Sequence, residues 1–237
     1  DAVSAGMRQA LKDEPTVDFS GGNLGETYVT GAGIAAGPAR FMAELLRHTA
    51  GENATFVPPS FFVAGKVARR PKTLIVFSQG LSPNARVALR SDHGAERVVV
   101  ITAVDPQGVG ASPDFLRDGM TAGWEVCRHA PSSEQGMLIR VLGPSLAMLK
   151  AARLVSALPT CRHIDWDLEA LPDAVEAARQ RAARVVNSID LDAFQSRPAH
   201  FVVAGSGQEA ARGLAWKWME GLWTVQPQVW DVMQLVH

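Results

Sequence analysis

The sequence predicts an α/β protein in which helices cover both faces of a doubly wound parallel sheet. Short runs of apolar and β-branched residues alternate with longer segments of helical periodicity. The run Thr73–Phe77 is apolar at nearly every position, as a central parallel strand buried on both faces requires. A glycine-rich turn joins the run at 27–30 to the helical segment after it. This alternation is typical of parallel strands joined by crossover helices.

The same patterns locate the individual elements. Strands need short apolar runs bounded by turn residues, whereas helices need apolar residues three or four positions apart. The predicted strands are 27–30, 55–57, 73–77, 97–104, 124–127 and 200–204. The predicted helices are about 38–48, 83–90, 136–158, 171–188 and 208–223, and 60–67 is a short helix or a loop.

The last part of the chain repeats the opening unit. The strand at 200–204 is followed by Gly205–Gly207 and a helix, just as the first strand is followed by Gly31–Gly33 and a helix. Repetition of a whole βα unit indicates two copies of one domain. We therefore predict a first domain at 1–165, a connecting helical segment at 166–199, and the start of a second, incomplete domain at 200–237.

The charge, the cysteine spacing and the length of the apolar runs argue against several classes of function. Twenty-three basic against 24 acidic residues give a formal charge of -1, which argues against a surface for nucleic acid or an anionic membrane. Cys127 and Cys161 lack metal-site spacing and are expected to be free thiols, so we predict no metal. The apolar runs fall short of the ~20 residues of a spanning helix. Because the N-terminus is also polar and acidic, we predict no signal peptide and a cytoplasmic protein.

The turn after the first strand has two interpretations. Residues 31–37 read Gly-Ala-Gly-Ile-Ala-Ala-Gly, and such a turn lets backbone N–H groups approach the pyrophosphate of a dinucleotide. A dinucleotide site also needs an acidic residue after the second strand to hold the ribose, where this chain has Pro58 and Pro59. We therefore favour a tight strand-to-helix turn and expect no redox cofactor.

The loop after the central strand carries the more informative motif. Residues 78–84 read Ser-Gln-Gly-Leu-Ser-Pro-Asn, at the carboxyl edge of the sheet where ligands bind in open α/β folds. Backbone N–H groups and the helix dipole there favour an anion such as a sugar phosphate. Ser82 is also the expected helix N-cap, with Pro83 as the first helical residue. The two interpretations are compatible.

The segment Phe77–Pro83 resembles the Ser-Gln-Ser-Gly-Glu-Thr phosphate loop of sugar isomerase (SIS) domains, above all in the double-SIS isomerase half of glucosamine-6-phosphate synthase. Residues 29–33 resemble that family's first strand and turn, and 130–140 resemble its Ala-Gly-Thr-Glu-x-Gly segment. Residues 204–220 are similar to the second SIS opening with its Ala-Leu-Lys-x-Lys-Glu helix, and 234–237 resemble its Glu-Leu-Lys-His segment. The resemblance implies a flavodoxin-like SIS domain.

The resemblance also implies roles for individual residues. Glu220 would move a proton between adjacent sugar carbons, Lys217 would lie beside it, and His237 would open the ring from a neighbouring subunit. A buried carboxylate suits aldose–ketose isomerisation, which needs one base that reaches both carbons. Lys217 and Glu220 share a helix face, although an ordinary surface ion pair would look the same. The implied substrate-binding residues are Ser78, Gln79, Gly80, Ser82, Gly33 and Glu134.

The chain departs from the family pattern at the phosphate loops. Ile34 and Ala35 stand where the family has phosphate-binding hydroxyls, and Gly80 and Pro83 replace a serine and a threonine of the central loop. These departures leave open whether the ligand carries a phosphate.

Two functions fit the sequence. The first is a homodimeric isomerase, or an amine-releasing relative of the deaminase type, acting on a sugar or sugar phosphate without metal or redox cofactor. The second is a non-catalytic module that binds a sugar-like ligand for regulation or assembly, since fold does not fix function. The pair Lys217 and Glu220 favours catalysis, whereas the altered loop and the incomplete second domain favour the module.

Four tryptophans close together predict a buried surface. Trp216, Trp218, Trp223 and Trp230 lie within one short segment. Large apolar patches of this kind mark interfaces or cores. We predict that they form the interface of a homodimer.

Overall fold

A computed structural model describes residues 2–13, 16–63, 70–130, 142–161, 167–187, 200–203, 211–215 and 227–232. Five parallel strands form the main sheet in the order β2-β1-β3-β4-β5. They are β1 Thr27–Gly31, β2 Ala54–Phe56, β3 Thr73–Phe77, β4 Arg97–Thr102 and β5 Glu125–Arg128. The predicted α/β class with a parallel sheet is confirmed.

Six helices with both ends in the described part of the chain accompany the main sheet, and two single turns of 3₁₀ helix lie at Gly33–Ala35 and Pro59–Phe62. The helices are α1 Ala2–Lys12, α2 Ala36–Thr49, α3 Pro83–Arg90, α4 Ala111–Thr121, α5 Leu142–Ser156 and α6 Leu171–Val186.

Strand β3 is the centre of the sheet. It pairs with β1 on one side and with β4 on the other, so that Leu74 lies opposite both Tyr28 and Val98. All five of its residues are buried. The predicted central strand is confirmed at the predicted bounds. A strand with neighbours on both sides and helices on both faces is almost entirely apolar, and the hydroxyl of Thr73, its one polar side chain, donates to the Leu24 carbonyl.

The side chains of β3 alternate between two hydrophobic cores. Ile75 and Phe77 pack in the core that contains residues of α2 and α5. Leu74 and Val76 pack in the core that contains residues of α3 and of the Pro59–Phe62 turn. Since successive strand side chains point to opposite faces, the helices cover both faces of the sheet, as a doubly wound fold requires.

Three elements were not predicted from the sequence: α1, α4 and a seventh strand described below. Helix α4 buries only Leu116 and Gly119 fully, so it contributes little to the core. Strand β4 ends at Thr102, two residues earlier than predicted.

Helix α1 is joined to α5 through its C-terminal carbonyls. Lys150 Nζ and Arg153 Nη1, both on α5, donate to the carbonyl oxygens of Ala10 and Asp13. Lys150 is almost fully buried in this position. Cations at a helix C-terminus are favoured by the helix dipole and satisfy its unpaired carbonyls.

A second sheet contains two parallel strands, β6 His200–Val203 and β7 Gln228–Asp231. His200 pairs with Gln228, much as Thr27 pairs with Ala54 in the main sheet. Strand β6 confirms the predicted strand at 200–204. Residues 211–215 are helical within the predicted helix 208–223, whose other residues, like Gly205–Gly207, lie outside the described part of the chain. The division into two domains stays a prediction.

Cys127 and Cys161 are both free thiols. Burial raises the pKa of the Cys127 thiol to about 11, so it is protonated at neutral pH and packs as a core residue. The described residues contain no cluster of histidine, cysteine or carboxylate side chains that could hold a metal ion. None of their helices is long and apolar enough to cross a membrane.

Gly31 lets the segment after β1 turn back over the end of the strand. A Cβ atom at this position would lie 2.4 Å from the carbonyl oxygen of Ala35 and 3.2 Å from Cβ of Ala39. Since the nearest atom belongs to the backbone, it cannot move aside without shifting the start of α2.

We expect Gly31→Ala to lower the free energy of unfolding by about 1–3 kcal/mol, the usual cost of overpacking. Gly37→Ala is the matched control, because its Cβ would meet only the Met148 methyl group at 3.6 Å, an ordinary contact. Urea unfolding of the two variants measures the difference. Equal midpoints for both variants would contradict the close approach.

Candidate functional site

A cleft lies at the carboxyl edge of the main sheet, between the ends of the strands and the first turn of α5. Its lining includes Ile34, Ala35, Ser78, Gln79, His129 and Gly143. Ligands of open parallel sheets bind at this edge, where the loops after several strands meet. The cleft is therefore the candidate functional site.

Ser78 is held in the cleft by the strand and the loop around it. Its backbone N–H donates to the Ile101 carbonyl at 3.0 Å, and its Oγ accepts from the Ser82 N–H at 3.2 Å. Because a hydroxyl both donates and accepts, the Ser78 hydrogen remains suited to donating to a ligand. Ser82 caps α3 by accepting from the Ala85 N–H at 3.5 Å, with Pro83 in the first turn, as predicted.

The loop between Ser78 and Ser82 is fixed from outside the cleft. Arg86 donates to the Leu81 carbonyl at 2.8 Å and to Ser112 Oγ at 2.8 Å, and Ser112 Oγ donates to the Gly80 carbonyl at 2.9 Å. Leu81 has a φ of 52°, a left-handed conformation that costs about 1–2 kcal/mol for a non-glycine residue. Its fully buried side chain holds it there.

Gln79 connects the central loop to α5. Its carbonyl accepts from the Ala103 N–H at 3.1 Å and from Thr102 Oγ1 at 3.2 Å. Its side chain lies against Gly143, where a Cβ would be 2.7 Å from the Gln79 Nε2. Gly143 thus leaves the room that the Gln79 amide occupies. The sequence pattern does not indicate a role for Gly143, since only the folded chain brings it to the loop.

The wall next to β1 is apolar. Gly33 begins the 3₁₀ turn with a φ of 56°, which favours glycine, and no atom lies within 4 Å of its absent Cβ. Ile34 and Ala35 line the cleft where SIS proteins are expected to carry hydroxyls. A phosphate at this wall would find backbone groups but neither hydroxyl nor cationic side chains on these residues.

His129 is a site residue that was not predicted from the sequence. It follows β5, its N–H donates to the Thr102 carbonyl at 3.0 Å, and only 3% of it is exposed. Its Nδ1 lies 3.0 Å from the Ala130 carbonyl oxygen. Burial lowers the pKa of His129, so the imidazole is neutral at neutral pH. Its position two residues after the strand predicted at 124–127, at the edge of the sheet where ligands bind, could have indicated it from the sequence.

The structure brings together some of the predicted site residues and leaves others unplaced. Ser78 and Gln79 line the cleft, while Gly80, Ser82 and Gly33 shape the loops that form it. The remaining predicted residues lie outside the described part of the chain: Glu134, Lys217, Glu220 and His237. All of these assignments as ligand or catalytic residues stay predictions.

Comparison with known proteins rests on structure. No protein-family model matches the sequence, and no curated protein matches it. Among solved structures, a glucosamine-6-phosphate deaminase from Thermotoga maritima is 12% identical with a TM-score of 0.73, matching 100% of this chain and 70% of its own. Tagatose-6-phosphate ketose/aldose isomerase from Escherichia coli is 16% identical with a TM-score of 0.64, matching 100% of this chain and 63% of its own.

A third structure is the C-terminal domain of glucosamine-fructose-6-phosphate aminotransferase from Francisella tularensis. It is 13% identical to this protein with a TM-score of 0.59, and the match covers 100% of this chain and 68% of that domain's chain. The chain has the SIS fold. Identities this low show the fold alone, and the chain spans about two thirds of the length of the structures it matches. The resemblance inferred from the sequence is therefore confirmed at the level of fold.

We expect Gly143→Ala to displace the Gln79 amide, because the new Cβ would occupy its place. The side chain can rotate away, so the free energy of unfolding should change by less than about 1 kcal/mol. The measurement is the position of the Gln79 side-chain NH₂ signals in a ¹H–¹⁵N spectrum.

Gly80→Ala is the control for this change, since its Cβ would meet no atom within 4 Å. It should leave the Gln79 amide signals close to their original positions. Unshifted Gln79 signals in Gly143→Ala would show that the contact does not position the amide.

Proposed function

We propose that this protein is an SIS-type isomerase or deaminase-like enzyme that acts on a sugar or sugar phosphate. The observation that carries the proposal is the cleft at the carboxyl edge of an SIS-fold sheet, with Ser78, Gln79 and His129 at its surface. The names of the similar structures, a ketose/aldose isomerase and a deaminase of sugar phosphates, support the substrate class.

Glu220 is the proposed base of the reaction. It takes the proton from the carbon next to an aldose carbonyl and returns it to the former carbonyl carbon. A hydroxyl proton shifts from one oxygen to the other, so the carbonyl moves by one carbon with no external oxidant or reductant. Lys217, one helical turn away in sequence, would stabilise the charge on the oxygens, and His237 would assist ring opening.

The residues of the cleft would bind and orient the sugar. The Ser78 hydroxyl can donate to a ligand oxygen while its own Oγ is fixed by the Ser82 N–H. The Gln79 side chain, lodged against Gly143, presents an amide that both donates and accepts. Holding the sugar in a reactive orientation lowers the activation barrier, because its translational and rotational entropy is already lost on binding.

A non-catalytic ligand-binding module is the second candidate. The apolar Ile34 and Ala35 at the cleft wall favour it, because they remove hydroxyls expected to hold a phosphate. In that case the protein would bind a sugar-like ligand and transmit its presence to another domain or subunit.

We further propose that the protein is a cytoplasmic homodimer and that the tryptophan-rich segment forms its interface. Trp230 and Val202 face each other across the β6–β7 pair, and both are exposed. Exposed apolar pairs on a small sheet favour burial against a partner. Trp216, Trp218 and Trp223 lie outside the described residues. Light scattering at micromolar concentration should give the mass of a dimer, and a monomer would count against the interface.

Solvent deuterium exchange tests the catalytic proposal. Wild-type protein incubated in D₂O with hexose and hexosamine phosphates should label the carbon next to the carbonyl. Glu220→Gln keeps the size of the side chain but cannot take a proton from carbon, so exchange should fall by about 10²–10⁴-fold. Glu96→Gln changes an exposed carboxylate and is the control.

Unchanged exchange in Glu220→Gln would eliminate Glu220 as the base. Absence of exchange with every sugar in the wild type would instead favour the ligand-binding module.

Ser78→Ala should act on binding rather than on the chemical step. Removing a hydrogen bond made equally in ground and transition states raises KM by about tenfold and leaves kcat nearly unchanged. Steady-state kinetics separates the two constants. A large fall in kcat with unchanged KM would assign Ser78 to the chemical step instead.

A further inference from the structure

Two histidines of the described chain have fixed and opposite proton positions. His129 Nδ1 lies 3.0 Å from the Ala130 carbonyl oxygen, and a carbonyl only accepts, so Nδ1 of His129 carries the proton. His93 Nδ1 accepts from the Ala95 N–H at 3.0 Å, so its proton lies on Nε2. A neutral His129 therefore has an unprotonated Nε2, whereas a neutral His93 does not.

The unprotonated nitrogen of His129 belongs to a ring that lines the candidate site. His129 shares the cleft with Ser78 and Gln79, while its backbone is fixed to β4 through Thr102. Turning Nδ1 of this ring toward the cleft would break its contact with the Ala130 carbonyl oxygen, so the ring is held in one orientation. The proton position is thus set by the fold.

We infer that His129 is a ligand-contacting residue whose Nε2 accepts a hydrogen bond from a hydroxyl of the bound sugar. This inference rests on the proposed function and adds the chemical group that one wall of the cleft recognises. It concerns a residue for which the sequence resemblance implies no role.

The chemistry at this nitrogen favours a hydroxyl over a phosphate. An unprotonated ring nitrogen offers a lone pair, as the oxygens of a phosphate dianion do, so the two do not attract each other. A sugar hydroxyl supplies the missing hydrogen. Ser78 supplies a donor on the central loop, so the cleft offers both a donor and an acceptor, the complement of a polyhydroxy ligand.

Burial supports the neutral state of the ring. Loss of solvation lowers the pKa of His129, and the hydrogen bond with the Ala130 carbonyl opposes this only in part. The amino group of Lys150 also disfavours a second positive charge at the ring. At neutral pH the ring is thus a neutral hydrogen-bond acceptor.

The proton positions are measurable without any ligand. Long-range ¹H–¹⁵N correlation spectra of the whole protein distinguish the two tautomers by the shifts of the ring nitrogens. We expect the Nδ1–H form for His129 and the Nε2–H form for His93, which serves as the internal control. A proton on Nε2 of His129 would overturn the inference, whatever the protein binds.

The contact itself is tested by calorimetric titration with fructose 6-phosphate and glucosamine 6-phosphate. His129→Phe keeps a planar ring without the nitrogen and should weaken binding about tenfold, the value of one lost hydrogen bond. His129→Gln places an amide oxygen near the position of Nε2 and should bind within about threefold of the wild type. Urea unfolding shows whether each variant is folded.

The outcomes separate the two proposals. If the wild type binds a sugar and His129→Phe, folded, binds it equally well, the inference fails and the proposed function stands. If the wild type binds neither of these two compounds nor any other sugar or sugar phosphate of the exchange panel, the proposed function fails and the inference fails with it. Should His129→Phe not fold, a tenfold or greater loss in a folded His129→Gln would overturn the inference, because an acceptor would be present without effect.

Discussion

The pairing of β3 with β1 and β4 is the constraint on which the rest of the structure depends. Gly31, Phe77 and Ile101 lie opposite one another, and Ile101 in turn lies opposite Cys127. Because the strands are parallel and in this register, four chain segments leave the sheet at one edge. The loops that carry Ser78 and His129 meet there for the same reason. A slip of one residue would turn every side chain of β3 toward the opposite core.

Two glycines then let helices approach that edge. Gly31 allows the start of α2 to lie directly against the end of β1, and Gly143 leaves space at the start of α5 for the amide of Gln79. Helix α5 is further fixed on its far side, where Lys150 and Arg153 bind the last carbonyls of α1. The cleft thus depends on these two close approaches, one to backbone at Gly31 and one to the Gln79 side chain at Gly143. Its polar side chains lie directly after strands, where hydrogen bonds to β4 and to α3 fix the loops.

The chemistry of the cleft differs from what its fold alone would suggest. The wall at Ile34 and Ala35 is apolar, and burial lowers the pKa of His129, the histidine that follows β5, so that it is neutral at neutral pH. These features suit recognition of the hydroxyl groups of a sugar. They do not provide side chains that would bind a phosphate. Function on a widely used scaffold is decided by such site residues, which is why the fold supports a substrate class without fixing the reaction.

The sequence by itself determined the parallel sheet, its central strand and the cap at Ser82, because strand periodicity, buried apolar runs and capping are local properties. It also located Ser78 and Gln79 at the edge of the sheet, since a ligand loop follows its strand directly. Only the tertiary structure decided that His129 and Gly143 join them, because residues 50 or more positions apart in the chain meet through strand order and helix packing. Helix α1 and strand β7 likewise depend on partners that are distant in the chain. Side chains of α5 bind backbone carbonyl oxygens at the C-terminal end of α1, and β7 pairs with β6. A helix as short as α1 is marginal without such contacts.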